Sequence, residues 1–577
     1  MSGQLNRRRK RGPSTITTEA IVVWCGLALL GMVVAGTWIP LHVANLLTDS
    51  GQQLPLNPFS LLLGLVTGSL TWTGAATAVL IALFFAAVAA TAGILWLRHR
   101  LTRNRTRVDA SATYMGRGQD LAALTEEGAR QTARRLGVQG SPGVPIGRTV
   151  IGRQMLYGSW EDMHVDIWGP RTGKTTSRGI PAILSAPGAV LVTSNKRDIL
   201  DATRGPRAEK GPVWAFDPQQ IALEEPTWWW DPLSYVTDEV KAAQLAGHFA
   251  AGSREAGARA DAYFDGEGRN LLAHLLLAAA LDKRPITNVY TWLTRPTDDT
   301  AVHILAEHGF SLQADGLSGI IEAPDKQRAG VYGTAMQMAS CLTNRRIAPW
   351  ITRTGPDDTR PHFDPHAFVR EGTGTLYSLS KEGAGTAGPL VTALTVAVVE
   401  AAEALAATLP GGRLTIPLLG VLDEVANVCK WKELPDMYSH YGSRGIVLMA
   451  ILQSWSQGVE VWGQEGMRKL WSAANIKVYG GGVSETQFLQ ELSQLIGDYD
   501  REAISASISR DGRSTSRQLT NQATMDIADL GALPRGRAVV IASGAPPTLV
   551  ETVPWMRGPH ADAVRKSIEE YGPKGVQ

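Results

Sequence analysis

The chain has 577 residues, with 56 Lys and Arg against 54 Asp and Glu and a formal charge of +2; at about 150 residues per domain, that length suggests roughly four units. A balance this even neither demands nor excludes a nucleic-acid partner, because a basic groove can be offset by acidic surface elsewhere. Cys25, Cys341 and Cys429 lie far apart and form no CxxC pair, which excludes a disulfide scaffold or zinc ribbon.

The N-terminal region has the pattern of a membrane hairpin. From Ala20 to Ile39 every residue but a few glycines and one threonine is apolar, a run long enough to cross a ~30 Å hydrocarbon layer. A second apolar region runs from Phe59 to Leu97, and Ala75 to Leu97 is its best spanning stretch; Phe59 to Thr73 either lengthens that helix or lies at the interface. Lys and Arg are absent between Leu41 and Leu97. Arg7, Arg8, Arg9, Lys10 and Arg11 precede the first span, and Arg98, Arg100, Arg103, Arg105 and Arg107 follow the second. The positive-inside bias therefore expects a multi-pass membrane protein with both chain ends cytoplasmic and a short external loop. A signal peptide has a shorter apolar core and a small-residue cleavage site. The expected divisions are a basic N-terminus at 1–19, a hairpin at 20–97 and a linker at 98–144.

Beyond about Val144, short β-branched runs alternate with longer helical ones, as in an α/β fold with a helix-covered parallel sheet. Met163 to Ile167 reads as a strand and leads into Trp168, Gly169, Pro170, Arg171, Thr172, Gly173, Lys174, Thr175 and Thr176. A Gly-Lys-Thr at a strand-to-helix junction is the core of a phosphate loop. Its backbone N–H groups and the helix N-terminus face an anion, Lys174 reaches the β- and γ-phosphates of ATP, and Thr175 can hold Mg²⁺. The first glycine of GxxxxGK[ST] falls at Trp168, with Gly169 beside it. Ile416 to Leu422 then makes a mostly apolar run closed by Asp423 and Glu424. A buried strand delivering two carboxylates suits the second half of an ATP site, with Asp423 in the Mg²⁺ shell and Glu424 orienting or deprotonating the attacking water. A third strand, Gly445 to Leu452, ends at Gln453, which could sense the γ-phosphate. Arg444, just upstream, could serve a neighbouring subunit as an arginine finger or form a local ion pair.

With these residues in hand, the sequence resembles the TraG/TraD-like coupling proteins of conjugative type IV secretion systems, from about Met115 to Trp555 and in the N-terminal hairpin. The most specific likeness is Leu422-Asp423-Glu424-Val425-Ala426-Asn427, followed by Arg444-Gly445 and by Leu452-Gln453-Ser454-Trp455-Ser456-Gln457. Val192 to Asp198, Phe216-Asp217-Pro218, Trp230 to Leu233, Asn475 to Val478 and Glu485-Thr486 match in the same order. The resemblance implies a RecA-like P-loop NTPase acting as a homo-hexamer at the bacterial inner membrane. Its implied activity is ATP-driven delivery of relaxase-bound single-stranded DNA to a secretion channel, with relaxosome and channel proteins as partners. An all-α domain inserted into the motor is implied too, here 238–352, between nucleotide-binding parts at 145–237 and 353–557. Two rivals differ in class: an FtsK-like pump for duplex DNA, against which the Ala-Asn after the acids and the Gln-Ser-x-x-Gln segment argue, and a nucleotide-switched membrane receptor that docks substrates without motor activity.

Weaker signals remain open. Trp228, Trp229 and Trp230 could stack bases or pack in a core. Arg501, Arg510, Arg513 and Arg517, in a Ser/Thr-rich stretch, could line a DNA channel or decorate a solvated hairpin. Residues 558–577 read as a polar tail.

Overall fold

The structure, a computed structural model, describes residues 18–48, 51–102, 106–253, 261–383, 386–509 and 512–573. Arg7 to Arg11, Arg103, Arg105 and Arg510 lie outside the described residues. The chain forms two compact units, 1–107 with 499–522, and 108–498 with 523–577.

In the first unit, the apolar runs become helices Thr18–Thr48 and Gly74–Thr102, which pack on each other around Leu41, Ala44 and Ala76. Both are long and apolar enough to cross a membrane. The stretch in between does not lengthen the second helix. It forms a separate helix, Pro58–Val66, capped by the Asn57 side chain and started by Pro58 at a position where no N–H is needed. The same unit holds a two-stranded hairpin, Asp498–Ser509 with Gly512–Ala523.

The second unit is built on one large sheet. In chain order the strands of the protein are β1 (Val144–Thr149), β2 (Met155–Gly158), β3 (His164–Ile167), β4 (Val190–Ser194), β5 (Val213–Phe216), β6 (Thr375–Leu379), β7 (Leu418–Leu422), β8 (Ile446–Leu452), β9 (Ile476–Tyr479), the hairpin pair β10 and β11 already given, β12 (Arg537–Ala542) and β13 (Thr548–Glu551). The sheet runs β2-β1-β13-β12-β9-β3-β8-β7-β4-β6-β5. From β9 to β5 all pairs are parallel; beyond β9 the four remaining strands are antiparallel. Every residue of β3, β4, β6, β7 and β8 is buried, because helices cover both faces of the parallel part. Along β8 the period-2 alternation divides the core: Leu448, Ala450 and Leu452 face one cluster, Val447, Met449 and Ile451 the other.

Between β5 and β6 the described residues form a series of helices, Glu239–Ser253 and then those from Ala262 to Ile351. These helices share a core with the sheet, since Leu245, Phe249 and Leu276 belong to the same cluster as Leu422 and Leu452. The two connecting segments are bonded together, Trp230 N donating to Trp350 O at 2.9 Å and Phe363 N to Trp229 O at 2.8 Å. Trp228 and Trp230 are buried here, and the Trp228 ring meets Trp214, Trp350 and Phe363 with centroids 5.3–5.8 Å apart. Trp228 and Trp230 thus form a packed joint, while the half-buried Trp229 lies against His362.

Two segments expected as linker and tail are built into the body. From Val108 onward the expected linker belongs to the second unit: helix Glu126–Arg135 packs through Ala129 and Ala133, and Asp109 forms a two-pronged ion pair with Arg537 of β12 at 2.7 and 2.9 Å. The expected tail contains helix Ala561–Tyr571, docked on helix Asp198–Ala208, where Ser567 Oγ donates to Asp201 O and Arg197 donates to Tyr571 O.

Beneath the phosphate loop, Arg178 and Asp166 are both fully buried and joined at 2.7 Å, tying the loop's helix to β3. Burial pushes the Asp166 carboxyl up, and Arg178 pulls it back down. Removing one partner leaves an uncompensated buried charge. Asp166→Ala should therefore destabilise the protein by about 3–5 kcal/mol, whereas the paired replacement Asp166→Leu with Arg178→Met should recover much of that loss. Denaturant midpoints of the full-length protein in detergent check both.

Candidate nucleotide site

Five adjacent strands, β3, β8, β7, β4 and β6, all end at one edge of the sheet, and each contributes to a single site there. Ligand sites in open parallel sheets form at this carboxyl edge, where successive loops diverge.

After β3 the chain enters the phosphate loop. Trp168 N donates to Leu452 O and Gly169 N to Gly481 O, both at 2.9 Å, so the loop's first turn is fastened to its neighbours. Gly173 (φ +96°) and Arg171 (φ +60°) take positive φ, and Thr172 Oγ1 closes the turn on Gly169 O at 2.6 Å. Thr176 Oγ1 donates to Gly173 O at 3.1 Å, while Pro170 lies at the exposed outer side. The helix opens with a π turn, Thr175–Gly179, in which Ile180 N reaches Thr175 O. Pro181 follows immediately, has no N–H for the usual bond to Ser177 O, and so favours the wider turn.

Trp168 does not obstruct this loop. Its ring is fully buried under it, among Leu156, Val478 and Val540. Space comes from Gly480, where a Cβ would lie 2.0 Å from the ring; a Cβ on Gly169 would likewise lie 2.0 Å from Gly482 O. The Trp168-Gly169 and Gly480-Gly481-Gly482 segments therefore interlock.

At the end of β7, Asp423 and Glu424 are almost completely buried. Glu424 adopts a left-handed conformation (φ +56°, ψ +41°), which costs a residue with a Cβ about 1–2 kcal/mol. Its Oε1 accepts from Lys174 Nζ and, at 2.6 Å, from Gln453 Nε2; its Oε2 takes Asn427 Nδ2 at 3.3 Å. Gln453 stands at the end of β8, the strand lying between β3 and β7, which places its amide between the phosphate loop and the acids. Gln457 Oε1 accepts from Gln453 N at 3.0 Å, and Glu485 accepts from Trp455 N and Ser456 N, both at 2.9 Å, at the start of the next helix.

Asp423 Oδ1 lies 3.2 Å from Lys174 Nζ yet accepts no well-aligned hydrogen bond, and Ser194 Oγ approaches Oδ2 at 3.4 Å. Burial pushes the Asp423 carboxyl above the usual range; Lys174 opposes the shift and Glu424 adds to it. A buried carboxylate oxygen without a donor suits a hard divalent cation with oxygen ligands. Among the described residues there is no cluster of three or more His, Cys, Asp or Glu that could hold a metal.

Arg444 is placed elsewhere. It precedes β8, at the opposite end of that strand from Gln453, and its Nε pairs with Glu403 at 3.2 Å. Sequence reasoning assigned no role to Glu382, on the loop after β6, which accepts from both Asn195 and Asn427. The one available signal was a Gly-rich turn, Glu382-Gly383 onward, directly after a buried strand.

A phosphate loop, an acid pair at the end of a buried parallel strand and a polar sensor on the strand between them define a RecA-like P-loop NTPase fold. Residues 417–535 match the sequence family described as the TraM recognition site of TraD and TraG, so this part of the chain is TraG/TraD-like. The fold is similar to the bacterial conjugative coupling protein TrwBdeltaN70 in its unbound form, with TM-score 0.52 and 19% identity over 73% of this chain and 91% of that one. It is also similar to plasmid coupling protein TrwB with the non-hydrolysable GTP analogue GDPNP (TM-score 0.53, 16% identity, 73% and 92% covered). A third similar structure is TrwB with ADP and Mg²⁺ (TM-score 0.51, 17% identity, 73% and 92% covered). No curated protein matches the chain.

Because Gly480 makes room for the Trp168 ring, Gly480→Ala should overpack the site by about 1–3 kcal/mol and displace the loop. The expected outcome is a lower melting temperature together with weaker binding of a fluorescent ATP analogue to the full-length protein.

Proposed function

We propose that this chain is a membrane-anchored, ATP-driven coupling protein that passes relaxase-bound single-stranded DNA to a type IV secretion channel. The observation that carries the proposal is the convergence of Lys174, Asp423, Glu424 and Gln453 at one edge of the sheet. The TraG/TraD-like region, the coupling-protein fold and the two long apolar helices support the cargo and the membrane setting. In this reading the helices cross the inner membrane with both chain ends cytoplasmic, and the protein works as a homo-hexamer with relaxosome and channel proteins.

The chemistry follows from the side chains. Lys174 and the backbone of Gly169 to Thr176 bind the phosphates, with Thr175 and Asp423 holding Mg²⁺. When bound, Mg²⁺ supplies positive charge that offsets the charge building on the phosphate oxygens. Gln453 orients a water, and Glu424 accepts its proton as the water oxygen bonds to the γ-phosphorus. The bond to the bridging oxygen breaks, giving ADP and phosphate. Glu424 pairs with Lys174; drawing Lys174 to the phosphates frees the base, which couples hydrolysis to binding. Arg444 faces away from its own chain's site, and in a ring it is proposed to serve the neighbouring subunit's ATP.

Full-length protein in lipid nanodiscs should hydrolyse ATP faster with single-stranded DNA. Glu424→Gln should lower kcat about 10²–10⁴-fold while leaving nucleotide binding intact, and Lys174→Ala should lose both. Stronger stimulation by duplex DNA would point to an FtsK-like pump. Binding without turnover in an assembled ring would sink the motor reading in favour of a docking switch.

A further inference from the structure

The acid site does not end at Glu424. Asn427 sits one turn further on, where its N–H and that of Val428 both donate to Glu424 O at 2.9 Å, and its side-chain amide turns back toward the catalytic carboxylate. That amide has two protons and two acceptors: Glu424 Oε2 at 3.3 Å and Glu382 Oε1 at 2.9 Å. Glu382 Oε1 also receives Asn195 Nδ2 at 2.8 Å. Asn195 follows Ser194, whose hydroxyl faces Asp423. One carboxylate on the β6 loop is therefore held by amides from the β4 and β7 ends, which flank the metal and base positions.

Two further facts give the bridge a mechanical sense. Gln219 Oε1 accepts from Ser380 Oγ at 3.0 Å and Lys381 N at 2.9 Å, so the stem carrying Glu382 is anchored to the segment after β5. Glu382 itself is exposed, unlike the buried Glu424. A residue at the surface thus shares one amide with the buried base, and the shorter bond is the one to the surface residue.

Glu424 has its Oε1 occupied by Lys174 and Gln453 and its Oε2 by Asn427. To take a proton from water it needs a free lone pair aimed at that water. Lys174 leaves when phosphate arrives; Asn427 has no reason to leave, and it fixes which way the carboxylate points. We propose that Asn427 is a positioning residue for Glu424 and that Glu382 sets it, so that the position of the β6 loop decides whether the base is aimed for hydrolysis. This rests on the ATPase reading of the site. Glu382 and Asn427 touch neither nucleotide nor water in the proposal; they act through Glu424.

The test uses full-length protein in nanodiscs with Glu382→Ala, Glu382→Gln, Asn427→Ala and the double alanine variant. Expected are about tenfold losses of kcat for Glu382→Ala and Asn427→Ala, in the range for partners that orient a catalytic group, with KM for ATP within twofold. Glu382→Gln keeps an acceptor for both amides and should retain at least half of the wild-type kcat. The double variant should fall no further than Asn427→Ala alone, because both residues lie on one route. Wild-type kcat in both single variants, or losses that multiply in the double, would overturn the proposal. A second readout does not need turnover: with Mg²⁺ and a non-hydrolysable ATP analogue, hydrogen exchange around Lys381 to Gly383 should change in the wild type and not in Asn427→Ala. An equal change in both would also overturn it. No hydrolysis by the wild type would sink the ATPase reading and this proposal with it, whereas wild-type hydrolysis with unchanged kcat in both single variants would overturn this proposal alone.

Discussion

Three charges withdrawn from water at the end of β7 govern the rest of this structure. Asp423 and Glu424 are buried beside the one ammonium of Lys174, and burying ions costs several kcal/mol each unless geometry and further hydrogen bonds offset it. The offset here is local. Lys174 is shared by both acids, Gln453 and Asn427 add donors to Glu424, and only Asp423 Oδ1 is left without a well-aligned one. A lone ammonium between two carboxylates leaves the cluster net negative, which is a standing attraction for a divalent cation.

Holding those charges in place requires a rigid frame. The Lys174 backbone is set by the loop, the loop is fastened to Leu452 and Gly481, and its helix is pinned by the Arg178–Asp166 pair. Each fastening reaches a different strand, so the loop cannot shift without disturbing β8, β9 or β3. The left-handed Glu424 shows the same economy of space: the short helix Val425–Val428 begins only if the chain turns there, and its N–H groups close on Glu424 O. Strain at that residue is the consequence of aiming its carboxylate inward while sending Asn427 back over it.

How much of this was legible depended on how local the signal was. The loop, the acid pair and Gln453 each follow a strand within a few residues, so pattern and position in the chain sufficed. The fit of Trp168 in the phosphate loop was not legible because the space for its ring comes from Gly480, just after β9. Glu382 was silent for a similar reason: its partners Asn195 and Asn427 come from two other strand ends. Helices Glu126–Arg135 and Ala561–Tyr571 were passed over because their buried stripes are thin, Ala129 and Ala133 in one and Val564 and Ser567 in the other. Such helices bury too little apolar surface to announce themselves, and they are held by polar ties such as Arg197 to Tyr571 O. Arg444 shows a limit of another kind, since its place before β8 was legible while its partner Glu403 was not.

The helical segment between β5 and β6 packs against an element that adjoins the candidate site. Helix Gly388–Thr408 begins a few residues after Glu382, and although it is as long and apolar as a membrane span, most of it is buried inside the body. Its first turn meets the insertion's first helix so closely that a Cβ on Gly252 would lie 2.6 Å from Pro389. Further along, Lys241 of the same insertion helix pairs with Glu400. Helices Glu239–Ser253 and Gly388–Thr408 are therefore tied along most of the shorter one, and the longer begins beside the loop that carries Glu382. Close packing of this kind has low compressibility, so the insertion and that helix form one continuous part of the core.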